Sequence, residues 1–471
     1  MSRGRRPSRP RRARGIDPAR RAAYDALRAV NAADGYANLV LGDLVTRRRL
    51  DERDAGFATE LLNGTCRLRG TYDAILERAA GRPLASLQPA VVDVLRLGTH
   101  QLLSTRVPAH AAVTSSVDLV AAAVGERATG VVNAVLRRVV AHDLAAWVDL
   151  LAEGLDGVEE QAIRHHHPIW VAQAFTEVLG SVGARQVMEA NNQPPDTTLA
   201  ARPGLASLAE LVAEGARPGA WSPYAAVISG NPAQLSAVRE GRAGVQDEGS
   251  QLMAVALSRV AAPDGPWLDL CAGPGGKAAL LTGLAAERAE RLVAAERQPH
   301  RARLVAQALR GYAGYRDPAG ADLSPLVVAA DGTRPAWRPG TFARVVADVP
   351  CTGIGALRRR PDARWRRQES DLEQLVPLQE ALLGSALDAA RPGGVVAYVT
   401  CSPHPAETEQ VVRAVQQRRA DVTVLDAWSY LGEVDDLARG PFIQLWPHRH
   451  RTDAMFCALL RRGTPPAAPL E

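Results

Sequence analysis

The chain reads as three kinds of structure in series: an all-α bundle, a small α+β connector and an α/β domain. Three observations predict this. Residues 18–145 place apolar residues three and four apart, with almost no strand alternation. Residues 146–245 carry shorter apolar pieces among Pro, Gly and Ala. From about Ser250, short apolar runs alternate with amphipathic helices, the pattern of a parallel, doubly wound, Rossmann-like sheet. A length of 471 residues with 46% hydrophobic content suffices for roughly two to three domains with their own cores.

Residues 1–17 precede the bundle. The first fifteen, MSRGRRPSRPRRARG, hold seven arginines and no acid, so the net charge of +5 is a tail property and the remainder is slightly acidic. Such a segment cannot build a core and is expected to be disordered. It would grip a polyanion such as RNA through counterion release, or serve only as a solubilising tail. Residues 463–471 are expected to be a flexible end. The chain has no apolar run of membrane-spanning length and no signal-peptide core. Its five scattered cysteines (Cys66, Cys271, Cys351, Cys401, Cys457) argue against a disulfide framework and for a reducing cytoplasm. None has metal-ligand spacing, so no metal is expected.

Within 18–145, six helical stretches run from ARRAAYDALRAVNAA to TGVVNAVLRRVVAH; the third, RDAGFATELLNGTCRLRGTYDAILERAA, is read as one helix capped by Asp51. In the connector, Asp149–Leu155 and Pro168–Leu179 look helical. The run His165–His167 before Pro168 is read as a solvated helix entry rather than a ligand set. Residues 191–239 suggest a small α+β module.

In the last domain, strands WLDLC, RLVAAE, LVVAAD, FARVVADVP and VVAYVTC alternate with helices. Ligands of such sheets bind at the carboxyl ends of the strands. That rule brings Gly273–Lys277, Glu296, Asp331, Asp348–Cys351 and Cys401 to one edge. The turn CAGPGGKA lacks the first glycine and the hydroxyl of a P-loop. It fits a dinucleotide fingerprint or an S-adenosylmethionine loop, and the glycines alone do not separate these. Lys277 is the only lysine in the chain.

The cysteines after the fourth and fifth strands decide between them. A dehydrogenase has no evident use for two thiols there. A cytosine methyltransferase does, because C5 of cytosine attacks a methyl sulfonium only after a thiolate has added at C6. Asp348 could bond the N3/N4 edge of the base.

VQDEGSQ (Val245–Gln251), LDLCAGPGGK, ADVPCTGIGALRRRPDARW and VTCSPHPAETE together resemble the RNA cytosine-C5 methyltransferases, over 246–462. GFATELLNGTCRLRGTYDAIL and VVNAVLRRV resemble the NusB-like RNA-binding domain. The pair is similar to bacterial 16S ribosomal RNA cytosine-C5 methyltransferases of the RsmB or Sun type, and reaches to the enzyme acting at cytosine 967. The resemblance implies a class I methyltransferase fold, S-adenosyl-L-methionine as cofactor, and a 16S rRNA substrate with a single-stranded or flipped-out cytosine, methylated by a cytoplasmic monomer; the alternatives are a C5 methyltransferase acting on tRNA or another RNA, or a non-catalytic NusB-like RNA-binding or transcription factor. It implies that Cys401 is the nucleophile, that Cys351 assists product release, and that Asp348 lies beside methyl donor and base. It implies cofactor contacts from Cys271, Ala272, Gly273, Pro274, Gly275, Gly276, Lys277, Glu296, Arg301, Asp331 and Asp348. The chain departs from the family in having Gly273 where alanine is common and Glu296 where aspartate is common. LAAR (Leu199–Arg202) also stands in place of an L-R-x-N stretch. LRRRPDARWRR (Leu357–Arg367) carries six arginines. Its Arg358, Arg359, Arg360, Arg364 and Trp365 are expected to face RNA, with arginine on phosphate and Trp stacked on a base.

Overall fold

The computed structural model describes residues 16–33 and 37–463. The expectations for the arginine-rich tail and for the C-terminal end therefore fall almost wholly outside the described residues. The chain divides into two compact units: residues 1–172 with 360–366, and residues 173–359 with 367–471. The first division falls at 172/173, so the helical stretch from 146 to 172 goes with the bundle and the rest of the connector, with its small sheet, goes with the α/β domain.

The first unit is helical: α1 (Pro18–Ala33), α2 (Ala37–Arg48), α3 (Glu52–Arg67), α4 (Arg69–Ala80), α5 (Pro89–Ser104), α6 (Ala109–Ala123), α7 (Thr129–Val139), α8 (Leu144–Ala152) and α9 (Gly157–Arg164). Asp51 caps α3 as its sequence suggests, accepting from the Asp54 amide at 2.8 Å. Leu27, Leu61, Leu62, Ile75, Leu76, Leu95 and Leu136 meet in one apolar core. Asp93 is buried beside that core and accepts from Arg28, Asn31 and Arg96, each at 2.9 Å. Its charge is therefore fully engaged.

The helix expected over residues 53–80 is two helices, because Leu68 (φ −101°, ψ 11°) breaks it. The break leaves carbonyl oxygens without helical donors. The segment 360–366 supplies them. Trp365 Nε1 donates to the Arg67 carbonyl at 3.0 Å, and Arg364 Nη1 donates to the Arg67 and His166 carbonyls at 3.3 and 3.1 Å. Arg364 is 1% exposed, and Gly70 lies so close to the Trp365 ring that a Cβ there would sit 2.2 Å from it. The expectation that Arg364 and Trp365 face RNA is thus corrected: they cap broken backbone inside the helical unit. The histidine run is corrected as well. His167 is buried, and His166 Nδ1 lies 3.0 Å from Thr71 Oγ1.

The second unit begins within α10 (Ile169–Asn191), which is broken at Gly180. A four-stranded antiparallel sheet follows, built from β1 (Thr197–Ala201), β2 (Arg217–Pro218), β3 (Ala225–Ile228) and β4 (Ala243–Val245) in the order β2-β3-β1-β4, with α11 (Leu208–Ala213) and α12 (Ser236–Arg239). Arg202 at the end of LAAR is buried and donates to the Gly241 carbonyl, so it holds this module together.

The large sheet comes next. Its strands are β5 (Trp267–Asp269), β6 (Leu292–Glu296), β7 (Leu326–Ala329), β8 (Phe342–Asp348), β9 (Ala390–Thr400), β10 (Val422–Leu425), β11 (Ala438–Arg439), β12 (Phe442–Gln444) and β13 (Phe456–Arg462). The order is β11-β12-β13-β9-β8-β5-β6-β7, with β10 beside β13. Strands β5 to β9 are parallel, as expected; β10 to β13 add an antiparallel flank that the sequence reading did not resolve. Alternate residues of β9 feed two cores: Val395, Ala397 and Val399 pack with α13 (Glu248–Arg259) and α14 (Gly276–Ala286), while Val396 and Tyr398 pack with α16 (Leu372–Ala389) and α17 (Glu409–Gln417). Helix α15 (Pro299–Ala308) covers β6 and β7, and the short α18 (Pro447–His450) precedes β13. Strand order reverses at β5, between β6 and β8, and this places the ligand crevice at the carboxyl ends of β5 and β8. No helix among the described residues is long and apolar enough to cross a membrane.

Two outcomes test this packing. Trp365→Ala should lose about 3 kcal/mol of stability in urea unfolding of the full chain; wild-type stability together with weakened RNA binding would restore the RNA-facing role. Burial, with Arg364 nearby, lowers the His166 pKa from 6.5 to about 4. The unfolded chain therefore binds the extra proton between those values, and stability falls as pH drops through that window. His166→Asn should flatten the loss, as read from melting temperatures between pH 7 and 4.5.

Candidate functional site

Each loop at this crevice is fixed by local chemistry. After β5 the chain must turn sharply into α14. Gly275 takes φ +111°, a conformation that disfavours side chains, and starts the helix. Gly273 is needed for a different reason. A Cβ there would sit 2.1 Å from Glu296 Oε2 and 2.9 Å from Arg301. Glu296 ends β6, is 4% exposed, accepts from the Gln298 amide at 2.9 Å and pairs with Arg301 at 3.6 Å. Arg301 also donates to the Gly273 carbonyl at 2.9 Å. The missing Cβ and the longer acid are complementary, so the two departures from the family pattern are one structural change.

Asp331, just beyond β7, accepts from the Thr333 amide and hydroxyl at 3.0 and 2.7 Å, and these bonds lower its pKa. Lys277, in the first turn of α14, reaches Asp348 at the end of β8, with Nζ to Oδ2 at 2.9 Å. Burial works against its ammonium, yet the Asp348 carboxylate raises its pKa overall. Asp269 is fully buried beneath the turn; burial, then repulsion by Asp348, pushes it up to about 8. Its Oδ1 accepts from the Cys271 amide at 3.3 Å, and its Oδ2 has no hydrogen-bond partner. This orphaned acceptor, the glycine cradle and the acids after β6 and β7 suit a ligand bearing a cation at one end and ribose hydroxyls at the other, as S-adenosylmethionine does.

Cys351 and Cys401 follow the neighbouring parallel strands β8 and β9, and their sulfur atoms are 3.4 Å apart. Contact with Cys401, then burial, raises the Cys351 pKa well above the ordinary thiol value, and Glu407 and Asp348 add to the rise. Cys401 contributes to raising the pKa of both Lys277 and Arg359, so it lies within reach of two cations. The remaining thiols differ. Burial raises Cys271 strongly, and it pushes Cys66 and Cys457 up to about 12.

The structure brings together every residue expected at the strand ends. It does not gather the arginine run there. Arg359 bridges Asp247, which caps α13, and Asp453, at 3.1 Å in the loop before β13. Arg358 is part-buried, its pKa lowered chiefly by burial, and Arg360 belongs with the helical unit. Arg359 is therefore corrected, like Arg364 and Trp365, from an exposed RNA-facing role to an internal tie. Residues that sequence reasoning passed over are Asp247, Asp453, Gln379 and Glu407. Two of them stand inside quoted motifs, VQDEGSQ and VTCSPHPAETE, and that was the available signal.

A Rossmann-like sheet with this order, this glycine turn and these strand-end acids, joined to a helical unit, defines an S-adenosylmethionine-dependent RNA methyltransferase. Residues 257–461 match the family model described as 16S rRNA methyltransferase RsmB/F, and residues 17–141 match that of the NusB family. The chain belongs to the 16S rRNA methyltransferase RsmB/F family. It is 49% identical to "Putative methyltransferase Rv1407" of Mycobacterium tuberculosis, over 97% of this chain and 99% of that one. It is 31% identical to "Ribosomal RNA small subunit methyltransferase B" of Sodalis glossinidius, over 88% and 91% respectively. The crystal structure of PH0851 shares the fold, with a TM-score of 0.80 at 19% identity, covering 95% of this chain and 99% of that one.

Gly273→Ala should force Glu296 aside and weaken S-adenosylmethionine binding about tenfold by calorimetry. Adding Glu296→Asp should restore most of it. Failure of the second change to rescue the first would separate the two residues.

Proposed function

We propose that this enzyme methylates C5 of a cytosine in 16S ribosomal RNA through a covalent adduct on Cys401, cytosine 967 being the position the resemblance implies. The observation that carries the reading is the pair of sulfur atoms 3.4 Å apart at the ends of β8 and β9. Lys277, held by Asp348, and Arg359, held by Asp247 and Asp453, are the cations whose charge Cys401 feels. Contact with Cys401 and burial, with Glu407 and Asp348 adding to them, hold Cys351 above the ordinary thiol range.

Gly273–Lys277, Glu296, Arg301 and Asp331 would hold S-adenosylmethionine, which when bound supplies an electrophilic methyl group on a sulfonium. Cys401 Sγ adds to C6 of the base, and the displaced C5–C6 electron pair makes C5 the nucleophile that takes the methyl group. Asp348, held by Lys277, bonds the N3/N4 edge and offsets charge that develops on the ring. The C5 proton then passes to solvent water, the C5–H electron pair reforms the C5–C6 double bond, and the C6–sulfur bond breaks with its electrons returning to Cys401; Cys351 assists that release. Since C6 is attacked from above the ring plane, the base must be unstacked, so a single-stranded or flipped-out cytosine is the fitting substrate.

Cys401→Ala should abolish methylation and any covalent RNA adduct. Cys351→Ala should instead accumulate a protein–RNA adduct on a denaturing gel. An adduct formed by Cys401→Ala but not by Cys351→Ala would reverse the two roles. Mapping 5-methylcytosine in rRNA from cells with and without the gene tests the substrate.

A further inference from the structure

One buried carboxylate joins the two cysteine loops. Glu407 ends a short turn (Pro405–Glu407), and its side chain is 0% exposed. Its Oε1 accepts from the Thr352 amide at 2.8 Å and from Gln379 Nε2 at 2.9 Å. Its Oε2 accepts from the Thr352 hydroxyl at 2.5 Å. Gln379, on α16, donates from the same Nε2 to the Pro350 carbonyl at 2.9 Å. Both residues flanking Cys351 are thus held by this one cluster.

The Cys401 side is tied to it as well. Thr352 Oγ1 lies 3.1 Å from Ser402 Oγ, and the Tyr398 hydroxyl donates to the Glu407 carbonyl at 2.8 Å. The Gly355 amide donates to the Cys401 carbonyl at 2.9 Å. A carboxylate without access to water is stable only when its acceptors are filled, and here the donors come from the opposite loop and the helix beside it. The arrangement therefore couples burial of one charge to the spacing of the two sulfur atoms.

We propose that Glu407 is a positioning residue for the paired thiols: its carboxylate clamps the Cys351 loop onto the Cys401 loop and sets a fixed negative charge on the Cys351 side. This rests on the reading of Cys351 and Cys401 as the reacting pair. The charge makes a second anion at Cys351 unfavourable while leaving Cys401 to its cations. Glu407→Gln keeps the shape and one acceptor but removes the charge.

The test uses the full chain. Alkylation of Cys351 by iodoacetamide is followed by peptide mass spectrometry against pH. In Glu407→Gln the profile should move about one unit to lower pH. Turnover on rRNA should fall about tenfold in kcat with KM for RNA unchanged. Glu407→Asp, which keeps the charge but shortens the reach, should retain the alkylation profile and lose turnover. A Glu407→Gln protein with the wild-type alkylation profile and wild-type kcat would overturn the proposal. If Glu407→Gln does not fold, Thr352→Val, which removes one clamp bond and keeps the charge, should retain the alkylation profile and lose turnover as Glu407→Asp does; wild-type turnover there overturns the proposal equally. Alkylation needs no RNA, so it reports on the clamp even if the adduct chemistry assigned to Cys401 fails its own test.

Discussion

Lys277 and Asp348 meet at 2.9 Å where the strand order reverses, and neither could stand there alone. Lys277 is 9% exposed, and an unpaired ammonium so buried would lose its proton. Asp348 would face Asp269 without a counter-charge, and Asp269 is already pushed up to about 8. The pair ties the turn after β5 to the end of β8, which is also the strand that delivers Cys351. Cofactor loop and reacting loop are therefore parts of one electrostatic unit. This gives a physical reason for a single lysine in a chain that otherwise writes its positive charge as arginine: a compact ammonium fits a slot that a planar guanidinium does not.

The same logic sorts the thiols. Five cysteines are present, and chemistry alone does not rank them. Surroundings do. Two are buried in apolar cores, one lies under a turn lined by carboxylates, and two touch each other at strand ends. Of these two, Cys351 is raised chiefly by its contact with the other and by burial, with Glu407 and Asp348 adding to the rise.

The α/β pattern, the strand-end acids and the placement of two cysteines at neighbouring strand ends were legible in sequence because a parallel strand buried on both faces must be a short apolar run, and ligands gather where such runs end. Asp51 announced its helix for an equally local reason. What was illegible depended on partners distant in the chain. LRRRPDARWRR looks like an exposed basic face until the break at Leu68 and the turn at His166 are known to leave carbonyls in need of donors. Gly273 and Glu296 look like two independent departures until one is seen to occupy the volume that the other vacates. Within the antiparallel flank, β11 and β12 were missed because they are short, holding two and three residues.

Residues 360–366 complete the helical unit although they are encoded about two hundred positions after its last helix. The chain passes from one unit to the other at 172, 359 and 366. During synthesis the bundle emerges first, but the break after α3 waits for its caps until the polypeptide has been extended past Cys351. A chain that ended before residue 360 would therefore lack the donors that Arg364 and Trp365 give to the Arg67 and His166 carbonyls.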